Sequence, residues 1–173
     1  ILCIGRFSHE KQQQTLFKAM QLAKHAPEIR LIFAGQGPLE KEYEKLANQL
    51  PKKPIMHYFA PVDLRKIMSQ ADLVVHCADV EIEGMACMEA FASGCVPVIA
   101  DSSLSSTVSY ALTDNNRFPA GDSTALAEKI DYWFEHPLEL KEMQQRYRDY
   151  GKTLSVKRSA KIALGNLEGL TLK

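Results

Sequence analysis

Two carboxylates separated by seven residues suggest a binding site for hydroxyl groups: Glu81 lies in a glycine-containing stretch, and Glu89 lies in the helix predicted to follow it. Ionised carboxylates accept hydrogen bonds from vicinal hydroxyls, as in a ribose or a sugar. Gly84 stands close to the predicted helix start, where backbone N–H groups can face an anion. A glutamate in a helix is usually just solvated, but Glu89 precedes the apolar run Ala90-Phe91-Ala92. We therefore expect Glu89 to be tightly packed and to need a polar partner.

Two cations near the start of the chain supply the opposite charge. Arg6 and Lys11 follow Gly5, which ends an apolar run and lets a ligand approach the backbone. Guanidinium and ammonium groups both pair with phosphate oxygens, and the N-terminus of the next helix adds a favourable dipole. The loop therefore suits a diphosphate. On this loop alone, the alternative that Arg6 covers the sheet edge and Lys11 is solvated is equally consistent.

Apolar runs and amphipathic stretches alternate along the chain and predict the elements that position these side chains. Strand patterns cover 1–5, 29–34, 54–59, 72–77 and 96–100, with a very short one at 117–118. Helical patterns cover 12–25, 39–50, 62–71, 86–93, 124–135, 138–150 and 155–167, the last two separated at Gly151. This alternation predicts an α/β fold with a doubly wound parallel sheet, Rossmann-like.

A parallel sheet binds ligands outside the C-terminal ends of its strands. This rule selects the loops at 5–11, 35–38, 59–62, 77–85 and 101–110. His76 ends a strand pattern, and we expect it to be a packed core residue rather than a catalyst.

Composition sets the broad class. The 173 residues carry 46% hydrophobic residues, which is ordinary for one folded domain, and 21 basic residues balance 21 acidic ones. No global field therefore draws the chain to nucleic acid. The four cysteines form no C-x-x-C pair and are expected to be buried, reduced thiols in a cytosolic protein. No apolar run approaches the roughly 18 residues that span a bilayer, and no signal-peptide pattern is present.

Several motifs together carry a family resemblance. They are G-R-F-x-x-E-K at 5–11, G-x-G-P at 35–38, A-D-L-V-V at 71–75, E-x7-E at 81–89 and E-A-F-A-S-G-x-V-P-V-I at 89–99. In this order and spacing the chain resembles the C-terminal, donor-binding half of retaining GT-B glycosyltransferases of glycosyltransferase family 4, the glycosyl transferases group 1. The resemblance covers roughly residues 1–150 and implies one half of a GT-B fold.

The resemblance implies a role for each matching position. Arg6 and Lys11 would hold the donor diphosphate and neutralise the leaving group, so that no metal or other cofactor is expected. Glu81 would lie by the donor sugar and Glu89 would accept hydrogen bonds from the ribose. The remaining donor-binding positions are Gly5, Phe59, Ala60 and Val62, the last three beside the base, together with Ile82, Glu83, Gly84 and Met85.

Two departures from the family pattern fall at the sugar end of this site. The family usually reads E-G-F-G where this chain has Glu81-Ile82-Glu83-Gly84, and a serine-rich stretch at 101–106 replaces a glycine-rich loop. Sliding the register to Glu83 would break the seven-residue spacing to Glu89, so Glu81 remains the match. Contacts between the serine-rich loop and a sugar are left open.

The implied function is transfer of a hexose from a nucleotide sugar to a glycan or lipid-linked acceptor, in cell-surface polysaccharide synthesis. Residues 1–150 would form the nucleotide-sugar-binding domain, and 151–173 a helix packing on it or on a missing N-terminal domain that binds the acceptor. Because the chain begins directly in a strand pattern, we expect a fragment that is inactive alone. The excess of basic residues after Leu140 would suit a peripheral contact with the inner face of a membrane, although a solvated helix face is the simpler explanation.

Two other functions remain compatible with the sequence. A nucleotide-sugar 2-epimerase of the same architecture would share the diphosphate clamp and add acidic and histidine catalysts in the cleft. A non-catalytic flavodoxin-like module would use the same layers, but it would give no reason for the two cations and the two carboxylates to converge.

Overall fold

Short runs of branched apolar residues form the strands, because both faces of each central strand are covered. In the computed structural model, which describes residues 1–154, 160, 164 and 165, the strands are β1 Leu2–Ile4, β2 Ile32–Ala34, β3 Ile55–His57, β4 Leu73–His76, β5 Val96–Asp101 and β6 Arg117–Pro119. All neighbours are parallel, in the order β3-β2-β1-β4-β5-β6. The predicted doubly wound parallel sheet is confirmed.

Within the described part of the chain, six α-helices connect or follow the strands. They are α1 Gln14–Leu22, α2 Glu40–Ala47, α3 Pro61–Gln70, α4 Met85–Ala92, α5 Ser123–Glu135 and α6 Pro137–Thr153. Prolines in the first turns of α3 and α6 suit positions whose N–H would have no helical acceptor. The carboxylate of Asp122 caps α5 by accepting from the backbone N–H groups of Thr124 and Ala125.

Two predicted helix boundaries are wrong. The helix expected over 12–25 is shorter, because Gln12 adopts a left-handed conformation, with φ 50°, between a 3₁₀ turn at His9–Lys11 and α1. Gly151 does not end a helix either. It lies inside α6, where an added Cβ would stand 2.5 Å from Cβ of Ala92, so its small size lets α6 approach α4 closely. Most of the helix predicted over 155–167 lies outside the described residues.

The core has one layer on each face of the sheet. On one face, Phe17 of α1 stacks on Phe33 of β2 with ring centroids 4.3 Å apart. On the other, Leu2 and Val74 pack with Met68 of α3 and Ala90 of α4. All four cysteines are buried free thiols, as the sequence predicts. Among the helices of the described residues, none is long and apolar enough to cross a membrane.

The strand order determines where a ligand can approach. β1 pairs with β2 on one side and with β4 on the other, so the connections from β1 and β4 leave in opposite directions. A crevice opens at such a switch point beyond the C-terminal ends of the two strands. The loops after β1 and β4 border it, and these loops carry Lys11 and Glu81.

Candidate functional site

Lys11 and Glu81 meet across the switch point. The Lys11 ammonium donates to Glu81 Oε2 at 2.6 Å, joining residues 70 positions apart in the chain. Their side chains are only 24% and 18% exposed. The Lys11 stem passes over Gly5, 3.8 Å from where a Cβ would stand, and the backbone N–H of Asp79 donates to the Glu10 carbonyl at 3.0 Å. A backbone hydrogen bond and an ion pair therefore join the loops after β1 and β4.

The pair sets the charge state of the carboxylate. Partial burial of Glu81 opposes its ionisation, but the hydrogen bond and the positive charge of Lys11 outweigh burial and lower its pKa below the usual value. Glu81 is therefore an anion at neutral pH, able to accept hydrogen bonds. Lys11 is a cation held at the crevice, where an anionic ligand would compete for it.

A single parallel bridge orients Glu81. Its N–H donates to the Leu104 carbonyl at 3.3 Å, and its carbonyl accepts from the N–H of Ser106 at 3.0 Å, which pairs Glu81 with Ser105. Residues paired in this way project their side chains to the same face. Ser105 is buried, with its hydroxyl 2.8 Å from that of Thr107. The serine-rich stretch thus supports the backbone that carries Glu81.

The segment after Glu81 turns sharply into α4. Gly84 has φ 64° and forms the N-cap of α4, as its predicted place near a helix start requires. The Tyr110 hydroxyl donates to the carbonyl of Glu83 at 2.9 Å, fixing the turn from outside. Ile82 is 84% exposed and Met85 is 55% exposed, so both side chains are open to a ligand or a partner.

Glu89 differs from the prediction. It is exposed on α4, whereas Ala90 and Phe91 beside it are fully buried. Successive helix residues point about 100° apart, so a short apolar sequence around a glutamate does not bury it. Glu89 stands one turn after Met85 on the exposed face, and the expectation that it is tightly packed is wrong. Its assignment to the ribose stays a prediction.

A cavity of about 660 Å³ lies on the β2 side of the loop at 5–11 that follows β1. Gly5 and Arg6 form one wall, and Gln36, Tyr58 and Phe59, all just beyond strand ends, are among the other lining residues. Of the three residues predicted to lie beside the base, Phe59 lines this cavity, whereas Ala60 and Val62 are exposed at the start of α3 and are not part of its lining. Tyr58 also lines this cavity and was not predicted, because the strand pattern at 54–59 placed it inside a strand, whereas β3 ends at His57.

A second cavity, of about 690 Å³, opens at the opposite edge of the sheet. Its lining includes Ile1 and Leu73 at the starts of β1 and β4, Arg30 before β2, and Trp133 of α5. Of the residues with predicted roles only Phe59 borders it, and neither Lys11 nor Glu81 does. The charged side chains and the strand topology both favour the cavity of about 660 Å³ and the adjoining switch point as the candidate ligand site.

His76 lies beneath the ion pair. It ends β4 and is 6% exposed, so the prediction that it is buried is confirmed. Its Nε2 stands 3.7 Å from Glu81 Oε2 and has no hydrogen-bond partner among the described residues. Burial lowers the pKa of the imidazole to about 4, against the charge of Glu81, which raises it, so His76 is neutral at neutral pH.

Comparisons with known proteins agree with this geometry. A sequence profile of the family described as "Glycosyl transferases group 1" matches residues 1–154. An uncharacterised glycosyltransferase of Bacillus subtilis, YqgM, is 28% identical over 152 residues, which are 86% of this chain and 41% of that protein. The chain spans 27–41% of the lengths of three curated relatives.

Solved structures extend the match. The catalytic domain of cholesterol-alpha-glucosyltransferase from Helicobacter pylori is 38% identical, with a TM-score of 0.85, and the match covers 90% of this chain and 99% of that one. HepE from Anabaena, solved with UDP-glucose, shares the fold at a TM-score of 0.79 and 19% identity, over 96% of this chain and 48% of that one.

The profile match runs from β1 to the end of α6 and includes both loops of the switch point. The chain therefore belongs to the glycosyl transferases group 1 family.

Proposed function

We propose that this chain is the donor-binding domain of a retaining glycosyltransferase that transfers a hexose from a nucleotide sugar. The observation that carries the proposal is the contact between Lys11 and Glu81 at the switch point, in a member of a glycosyltransferase family. The complex of HepE with UDP-glucose supports a uridine nucleotide sugar as donor.

In this proposal the diphosphate lies over Gly5, between Arg6 and Lys11. Transfer breaks the bond between the anomeric carbon and the diphosphate oxygen, and the bonding electrons leave with the oxygen. Arg6 and Lys11 stabilise that developing charge, so no metal ion is required. The acceptor hydroxyl oxygen bonds to the anomeric carbon, and its proton passes to the departing diphosphate oxygen.

The carboxylates and the smaller cavity complete the donor site. Glu81 accepts hydrogen bonds from the donor sugar, and Glu89, exposed on α4, accepts them from the ribose. The 82–85 segment borders the sugar, with Ile82 and Met85 open at its surface. The base lies near Phe59 and Tyr58 at the cavity of about 660 Å³.

The name of the Helicobacter pylori relative supports the proposed stereochemistry and acceptor. It is named an alpha-glucosyltransferase, and transfer from an α-linked nucleotide sugar to an α-glucoside retains the anomeric configuration. Its acceptor is a sterol by name, which supports a lipid among the glycan and lipid-linked acceptors. We propose a further domain that binds the acceptor, with the active site in the cleft between the two domains, and activity that requires both.

Calorimetric titration of the intact protein with UDP, GDP and ADP tests the nucleotide site. We expect binding of UDP, weakened about tenfold or more by Lys11→Met and by Arg6→Met, because each variant loses a charge-assisted contact with phosphate. Lys66→Met removes an exposed lysine on α3 and is the matched control, expected to bind like the wild type. A wild-type protein that binds none of the three nucleotides contradicts the proposal.

Product analysis separates the transferase from the epimerase. The intact protein, supplied with UDP-glucose and a lipid acceptor, is expected to yield UDP and a glucosylated lipid. An epimerase would instead alter the sugar without an acceptor.

A further inference from the structure

One carboxylate oxygen stands between a cation and an unpartnered nitrogen. Glu81 Oε2 accepts from the Lys11 ammonium at 2.6 Å, and the same oxygen lies 3.7 Å from Nε2 of His76. The second distance is too long for a hydrogen bond. His76 Nε2 is buried and has no partner among the described residues. The three side chains come from the loop after β1, the end of β4 and the loop after β4.

The unpartnered nitrogen is unfavourable for the fold. A buried donor or acceptor without a partner costs about 1–3 kcal/mol, and such groups often mark a functional requirement. The neighbours of His76 on its strand, Val74 and Val75, are apolar and buried, and it pairs in register with Ile99 of β5. An aliphatic side chain would fill this place without the cost, so packing alone does not explain the histidine.

The proposed function gives Lys11 two competing partners. In the structure its ammonium binds Glu81, and with donor present it also faces the diphosphate. A lysine that turns toward the diphosphate weakens its hold on Oε2 of Glu81, while the other oxygen, Oε1, still accepts from the backbone N–H of Ile82 at 3.2 Å. A shift of Oε2 toward Nε2 by somewhat less than 1 Å would bring the two atoms to ordinary hydrogen-bond distance.

We propose that His76 is a positioning residue: when Lys11 turns to the donor diphosphate, the Nε2–H of His76 donates to Glu81 Oε2 and keeps this carboxylate aimed at the donor sugar. This inference rests on the proposed function and adds to it the group that holds Glu81 in the donor-bound state. Glu81 and Lys11 are the charged groups around the imidazole.

The protonation state of His76 fits this role. Burial holds its pKa at about 4, so the imidazole is neutral at neutral pH and carries one N–H. A neutral donor orients Glu81 without bringing a second positive charge under the ion pair. It therefore does not compete with Lys11 and Arg6 for the diphosphate.

Two variants of the intact protein test the proposal. His76→Leu removes the donor at similar volume, and His76→Gln keeps a side-chain N–H. With UDP-glucose as donor, we expect His76→Leu to lower kcat about tenfold, the effect of losing one oriented hydrogen bond. His76→Gln should recover most of that loss. Affinity for UDP should also fall in His76→Leu, by no more than about the same factor, and recover in His76→Gln, because the hydrogen bond forms as the diphosphate draws Lys11 away from Glu81.

A measurement on the wild type avoids dependence on variants that fold poorly. In protein with ¹⁵N-labelled histidine, binding of UDP should move the Nε2–H proton of His76 downfield as it gains an acceptor. The inference is overturned by equal kcat losses in both variants, by a loss of UDP affinity that His76→Gln does not recover, by unchanged kcat in His76→Leu, or by an unmoved Nε2–H signal. If the wild type binds UDP and transfers glucose in these cases, the proposed function survives. A wild type that binds no nucleotide overturns both.

Discussion

Gly84 shows how a single residue sets the geometry around Glu81. Its φ of 64° is left-handed, and an added Cβ would stand 2.4 Å from Cγ2 of Thr107 and 3.5 Å from Cγ of Glu81. Thr107 is fully buried and shares a hydrogen bond with Ser105, the bridge partner of Glu81. A side chain at position 84 would therefore press on the support of the carboxylate as well as strain the turn.

We expect Gly84→Ala to lower the free energy of unfolding by about 2–4 kcal/mol, from left-handed strain and overpacking together. Thr107→Ser removes the clashing methyl group, keeps the hydroxyl and should cost about 1 kcal/mol alone. Urea unfolding of both single variants and the double variant measures the coupling. The double variant should be less destabilised than the sum of the singles. Additive losses would mean that Thr107 does not limit the space at position 84.

At the scale of elements, Asp131 fastens α5 to the turn after α1. It is 7% exposed, and its two carboxylate oxygens accept from the backbone N–H groups of Lys24 at 3.0 Å and His25 at 3.2 Å. These donors have left α1, which ends at Leu22, and they obtain no acceptor from that helix. The contact joins the C-terminal end of α1 to α5. The sequence did not predict this contact, because Asp131 reads only as an acid within the helical pattern of α5 and its partners lie 106 and 107 residues away.

Asp131→Ala should destabilise the protein by about 2–4 kcal/mol, since two partly buried N–H groups lose their carboxylate acceptor. Asp131→Asn keeps one carbonyl oxygen and should lose less. Thermal and urea unfolding give both values. The matched control is Glu128→Ala on the exposed side of the same helix, where a change within about 0.5 kcal/mol is expected. Equal effects at positions 128 and 131 would show that the two N–H groups do not depend on Asp131.

For the molecule as a whole, the sequence predicted the class of fold and the loops of the site, but it did not predict their contacts. Alternating strand and helix patterns are local, and the C-terminal ends of parallel strands must meet at one edge. The pairing of Lys11 with Glu81 depends on β1 lying beside β4, with Leu2 opposite Val74, and this order is a property of the assembled sheet. The environment of single residues was harder to predict, since Glu89 is exposed and not packed, and Gly151 lies inside α6 and does not end a helix.

The buried histidine links the site to the stability of the whole molecule. The pKa of His76 is lowered from 6.5 to about 4, mainly by burial, with Glu81 opposing and Lys11 reinforcing the shift. Between these values the unfolded chain binds a proton that the folded chain does not. Protons therefore favour the unfolded state, and stability falls as the pH drops below about 6.5 and continues to fall to about 4.

We expect the wild type to lose about 2 kcal/mol more stability than His76→Leu between about pH 7 and 5, because only the wild type gains this proton on unfolding. Urea unfolding across this range measures both curves, and their difference removes the contribution of groups that the two proteins share. His9→Leu, at an exposed position, is the control for loss of an imidazole and should leave the slope of the wild type unchanged. If the plots of unfolding free energy against pH are parallel for the wild type and His76→Leu, His76 takes up its proton equally in the folded and unfolded states. That result would contradict the neutral imidazole on which the proposed role of His76 beside Glu81 depends.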